Sequence, residues 1–222
     1  GAKKLGMHIH TRYEVSNNAG QDICDIVNNE GFDFLLVGSG ISMSDSPDDI
    51  AATRYRTSFY NRYFKRFKAP ESWFYPGALL KDKTKMFIAR SNCDVGVFIN
   101  RNFVKATNTL VVISSEEDLF LLDYTRTLLK ATHGSVGIVA KMSTTTPGHD
   151  QILKELWDFV SSIPQTQLLP DKDLTPGLFN SYNFMLIGYN TWNDVSEHRK
   201  EALQKMPSTL ILNKNKRSSS DN

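Results

Sequence analysis

Phe32-Asp33-Phe34-Leu35-Leu36-Val37-Gly38 and, far downstream, Tyr182-Asn183-Phe184-Met185-Leu186-Ile187-Gly188 share one pattern: an aromatic residue, a polar one, an unbroken apolar run, then glycine. An apolar run of strand length without alternation suits a strand covered on both faces, as in a parallel sheet. What surrounds the first copy fits that reading. Met7–Arg12 reads as a strand, and Gly20–Asn29 as a helix with Ile23, Ile26 and Val27 at helical spacing and Gly31 as its stop. Lys81–Ser91 follows as a helix and Val95–Ile99 as a second buried strand.

The alternation then continues. Thr109–Ile113 reads as a strand and Glu116–Thr132 as one helix, opened by acids and lined by Leu119, Leu122, Leu128 and Leu129. Val136–Ala140 is the next strand, Asp150–Ser161 a helix, Phe184–Ile187 a strand, Ser196–Lys205 a helix and Thr209–Leu212 a last strand. Strands alternating with helices call for parallel β-α-β units with right-handed crossovers. The expected class is α/β, with two related doubly wound parallel-sheet units. Residues 1–105 form the first, N-terminally incomplete and carrying an insert at 41–80; residues 106–213 form the second; 214–222 are a disordered tail. The first unit lacks the strand that would sit at the centre of a 3-2-1-4-5 sheet, so either this strand register is off or something else completes the unit. The chain begins Gly-Ala-Lys-Lys, which reads as an excised piece of a longer protein.

Composition limits the function classes. The 222 residues are 40% hydrophobic and 23% charged, as in an ordinary folded domain. A formal net charge of +2 names no partner. No apolar stretch approaches the ~20 residues that cross a bilayer. Cys24 and Cys93 are the only cysteines, and no N-x-[ST] acceptor occurs, so a reducing, cytosolic setting is expected.

Three segments are candidates for chemistry. Gly38, Ser39, Gly40 and Ser42 follow a buried parallel strand, where open α/β sheets bind ligands, and their small side chains let backbone N–H groups approach a phosphate. Gly188 opens the equivalent position downstream, followed by Tyr189-Asn190-Thr191-Trp192. An adenine nucleotide is the candidate ligand, against a plain tight turn. The second segment carries Arg54, Arg56, Arg62, Lys65, Arg66 and Lys68 without an acid, interleaved with Tyr55, Phe59, Tyr63 and Phe67 every four residues. These six cations exceed the whole chain's +2, so charge is concentrated here. A basic amphipathic helix can lie on anionic lipid or meet a partner; the plainer alternative is aromatics packed on the sheet beneath a solvated basic face. Nucleic acid is not among the expected partners. The third segment, His8-Ile9-His10, puts two imidazoles on one strand face but brings no third ligand, so no metal is expected. No metalloprotease, nucleophile-elbow or Cys/His pattern occurs, and no catalytic residue is expected.

Three stretches in order resemble the cytosolic tail of monovalent cation/proton antiporters, a family that includes plant cation/H+ exchangers and fungal K+/H+ antiporters. The first is Asp22-Ile23-Cys24-Asp25-Ile26-Val27 before Phe34–Val37. The most specific is Cys93-Asp94-Val95-Gly96-Val97-Phe98-Ile99-Asn100-Arg101, with Asn100 in place of the usual aspartate and Asn102 where glycine is usual. The third is Tyr182–Gly188. The resemblance implies universal-stress-protein-like units on the cytosolic face of an endomembrane, Golgi or endosome-like. It implies a membrane-spanning antiporter domain of the same polypeptide as partner, K+/H+ exchange and pH homeostasis as the parent's task, and self-association as a further mode. It also argues against ATP: nucleotide-binding stress proteins carry G-x-x-G, nine residues, then G-[ST], and Gly38-Ser39-Gly40 is too short for that form. The alternative is a free-standing nucleotide-binding stress-type protein. An adenine-nucleotide α-hydrolase ranks last, for want of a phosphate loop and a base.

Overall fold

The structure, a computed structural model, describes residues 15–38, 83–142, 147–170, 174–198 and 205–215. The expected strand Met7–Arg12, the His8/His10 pair and the basic segment Arg54–Lys68 lie outside these residues.

Helix α1 (Ala19–Glu30) is capped by the Asn18 side chain, which accepts from Gln21 N, and stops at Gly31 in the left-handed region (φ 68°). Strand β1 (Phe34–Gly38), helix α2 (Lys83–Arg90) and strand β2 (Asp94–Ile99) are the other described elements of the first half. The second half runs β3 (Asn108–Ile113), a 3-10 turn (Glu116–Asp118), α3 (Leu121–Thr132), β4 (Ser135–Ala140) and α4 (His149–Ser162). It continues with β5 (Thr166–Pro170), the single turn α5 (Pro176–Phe179), β6 (Phe184–Gly188), α6 (Tyr189–His198) and β7 (Ser208–Asn213).

Among the described residues seven strands form one sheet, in the order β1-β2-β7-β6-β3-β4-β5. All neighbours are parallel except β2 and β7, which are antiparallel. The five strands of the second half therefore form a complete 3-2-1-4-5 sheet, and β1 and β2 extend it. The protein is thus an α/β protein with a mostly parallel sheet.

The registers show how the halves relate. Phe34 lies opposite Asp94 at the start of β1 and β2, and Phe184 lies opposite Ser208 at the start of β6 and β7. The antiparallel pair places Val97 against Ile211, each the fourth residue of its strand. A local twofold axis between Val97 and Ile211 therefore relates β1-β2 to β6-β7. The sheet continues through β7, so β2 finds its second neighbour in the other half.

Alternating side chains build two layers. Leu110, Val112, Met185, Ile187 and Ile211 point to one face, where Phe179, Trp192 and Val195 of α5 and α6 cover them. Farther along the same face, Cys24 of α1 and Phe87 of α2 pack on Val95. Val111, Ile113, Ile138, Leu186 and Leu212 point to the other face, under Leu121 and Leu129 of α3 and Ile152, Leu156 and Phe159 of α4. Helices thus flank the sheet on both sides, as hydrophobic strands without alternation require. Burial pushes the Cys24 and Cys93 thiols up, so both stay protonated and unreactive.

Several elements depart from the sequence expectation. Glu116–Thr132 is not one helix: a 3-10 turn precedes α3 because Asp118 turns back to Ser114 and Ser115 instead of facing solvent. Helix α6 begins at Tyr189, directly after β6 and ahead of the expected Ser196, because Thr191, Trp192 and Val195 form its inward face; of the expected helix Ser196–Lys205 the described residues 196–198 are helical. Residues 199–204 lie outside the described residues. Strand β5 and turn α5 were not expected. Lys214 and Asn215, expected in the tail, are placed: Asn215 N donates to Asp94 Oδ1 (2.8 Å) and its Nδ2 to Ser91 O (3.0 Å). Asn102 is left-handed (φ 58°), a backbone state that glycine ordinarily fills, and Asn is one of the few residues that tolerate it.

Candidate functional site

In the second half the chain leaves β3 toward β4 on one side and returns through β6 on the other. The crevice between the carboxyl ends of β3 and β6 is therefore the topological switch point, where open α/β sheets bind ligands. The turn after β3 supplies Ser114, Ser115 and Asp118, and the turn after β6 supplies Gly188 and the first turn of α6.

Asp118 fills the crevice. Its side chain is 2% exposed. Its Oδ2 accepts from Ser114 N (2.8 Å), Ser115 N (3.2 Å), Ser114 Oγ (3.2 Å) and Thr191 Oγ1 (2.6 Å). The Ser114 and Thr191 hydroxyls also contact each other. Gly188 passes so close that a Cβ on it would overlap Asp118 Oδ1. Glycine is required there for close approach, not for a special dihedral. The carboxylate thus occupies the space directly against the Gly188 backbone. It also sits at the first turn of α6, where the helix dipole favours a negative charge.

Outside Asp118 a cavity of about 720 Å³ opens to the surface. Its walls carry Glu116, Glu117, Asp118, Asp123, Glu155 and Asp158 against Arg126 and Lys214. Arg126 is held over the Phe159 ring (4.9 Å to its centroid) and bonds to Asp123 (3.0 Å). Asn190 Nδ2 donates to Glu117 (2.7 Å). Besides the buried Asp118, this mouth carries five carboxylates against two cations, a negative field that disfavours a polyanion such as a nucleoside triphosphate.

The expected ligand residues separate. Gly38 ends β1, whose partner β2 runs antiparallel to β7, so Gly38 and Gly188 lie at opposite ends of the sheet. Among the described residues, a Cβ on Gly38 would meet nothing within 4 Å. Ser39, Gly40, Ser42 and the cations Arg54, Arg56, Arg62, Lys65, Arg66 and Lys68 lie outside the described residues. Asp118, Ser114 and Thr191 escaped the sequence reading. The one local signal was Ser115 followed three residues later by Asp118, a capping-box spacing. Among the described residues no group of three or more His, Cys, Asp or Glu is arranged to hold a metal ion. No helix among them is long and apolar enough to cross a membrane.

A second polar cluster ties the halves together. Tyr124 of α3 donates to Asp94 Oδ2 of β2 (2.8 Å) while its ring meets Phe34 of β1 (5.9 Å between centroids). Burial first, and then the bond to Asp94, push the Tyr124 hydroxyl above its ordinary range, so it remains a donor. The other Asp94 oxygen takes the Asn215 backbone, so one carboxylate joins α3, β2 and the segment after β7.

No protein-family model and no curated protein matches the sequence. Among solved structures the chain is similar to a universal stress protein from Archaeoglobus fulgidus DSM 4304, at 11% identity and a TM-score of 0.49. That similarity covers 89% of this chain and 66% of the other, so the chain spans just under two thirds of the protein it is compared with.

Proposed function

We propose that the chain is a non-catalytic regulatory region of a monovalent cation (K+)/proton antiporter, on the cytosolic face of a Golgi- or endosome-like membrane. In this reading it consists of two universal-stress-type units, 1–105 and 106–213, and modulates transport through a ligand, a partner or self-association. The observation that carries the non-catalytic part is Asp118: the switch-point crevice holds the chain's own buried carboxylate against Gly188 where a nucleotide phosphate would have to sit. The antiporter part draws its support from Asp22–Val27, Cys93–Arg101 and Tyr182–Gly188, which follow one another as in the antiporter tails. Regulation would work by linkage: whatever binds two arrangements of this region unequally biases the transporter attached to it. The basic segment Arg54–Lys68 is the proposed contact for anionic lipid or a partner.

An antibody to this region, used on fractionated cells after alkaline carbonate extraction, tests the proposal. A band several times larger than the chain's 25.1 kDa, retained in the membrane pellet, is the expected result. A soluble band near that size overturns the antiporter reading. Flotation with liposomes tests the lipid contact: binding that needs anionic lipid and weakens with salt is expected, and no binding at low salt overturns it.

A further inference from the structure

The bonds on Asp118 amount to a ligand site already filled. Two backbone N–H groups and two hydroxyls, from two turns whose donors Ser114 and Thr191 stand 77 residues apart along the chain, converge on one carboxylate oxygen. All four donors are neutral, and the anion they hold is 2% exposed. A buried anion satisfied by N–H and O–H donors, with glycine backbone pressed against it, is how proteins cradle a phosphate, sulfate or carboxylate group. Here the anion is part of the chain. Its removal would leave the donors unsatisfied in a space shaped for one small anion, an arrangement that costs stability until something fills it.

We propose that the switch point is an anion cradle whose resident anion is the Asp118 carboxylate, and that a small oxyanion or carboxylate takes its place when that side chain is removed. This rests on the reading of the crevice as closed to phosphate and deepens it by naming what the closed site recognises. The acids around the mouth limit the cradle to small anions of low charge, with formate and acetate ahead of phosphate. A nucleotide is disfavoured twice, by the resident carboxylate and by the mouth.

Thermal unfolding of three proteins tests this: wild type, Asp118→Gly and Asp118→Asn. Each is measured in chloride and in formate, acetate or inorganic phosphate at equal ionic strength. Asp118→Gly should melt lower in chloride and recover by about 3 °C or more when an anion is present at roughly ten times its dissociation constant. Wild type and Asp118→Asn, whose cradles stay filled, should not respond. If Asp118→Gly is unfolded in chloride, formate-dependent recovery of its far-ultraviolet dichroism is the expected result. No recovery in either form overturns the cradle. Equal stabilisation of all three proteins also overturns it, since that is the signature of anions excluded from the surface in general. Neither failure touches the antiporter reading, which the fractionation experiment decides by itself.

Discussion

Strands β1 and β6 carry the same sequence pattern, pair in the same register with their inner neighbours β2 and β7, and end in glycine. Their surroundings differ. β6 lies between β3 and β7 with helices on both faces, and all five of its residues are buried. β1 is the last described strand at its edge of the sheet, and Leu36 is 58% exposed where its counterpart Leu186 is 2% exposed. Gly188 is pressed against Asp118, while no described atom lies within 4 Å of where a Cβ on Gly38 would be. An apolar run ended by glycine specifies a strand and its direction; how deeply that strand is buried depends on which elements cover it.

The largest expected contrast is between the paired leucines. Leu186→Ala should cost about 2–5 kcal/mol as a core truncation. Leu36→Ala should stay within about 0.5 kcal/mol. Urea unfolding reads both, and equal losses would mean that β1 is covered as β6 is. Next are the glycines. Gly188→Ala drives a methyl into the Asp118 carboxylate and should cost roughly 1–3 kcal/mol. Gly38→Ala, with no described atom in the way and without a left-handed dihedral, should be neutral within about 0.5 kcal/mol.

A smaller effect sharpens the link between the halves. Tyr124→Phe keeps the ring on Phe34 but removes the hydrogen bond to Asp94, and should cost about 1 kcal/mol. Amide exchange in β2 should rise with it; an unchanged β2 would show that the halves hold together without this bond. The smallest effect compares two helix ends. Gly31 closes α1 and His133 closes α3, both left-handed, at φ 68° and 52°. Gly31→Ala should lose about 1 kcal/mol and His133→Gly should gain a few tenths, readable as opposite shifts in melting temperature.

The parallel strands were legible because burial on both faces leaves a continuous apolar run, as in Leu110–Ile113 and Phe184–Ile187. β5 was not: Thr166 and Gln167 interrupt its pattern, and it lies at the far edge of the sheet. α5 is one turn long, below the length at which periodicity can register. The early start of α6 has a specific cause. Gly188 and Asn190 look like loop residues, and only the burial of Thr191, Trp192 and Val195 reveals a helix there. The internal echo was visible in sequence, but the axis at Val97 and Ile211 was not, because strand pairing between halves leaves no local signature. The site was least legible of all. Gly188 could be picked out, but its neighbour Asp118 stands 70 residues earlier and reads as an ordinary acid at a helix start.

The central proposal is that the chain's own carboxylate closes the switch point to a nucleotide. Calorimetric titration of the wild-type chain with ATP and magnesium tests it most directly. The account predicts no saturable heat at any concentration into the millimolar range. Saturable binding at micromolar ATP, abolished by Gly188→Ala but not by Gly38→Ala, would place the nucleotide in this crevice and contradict it.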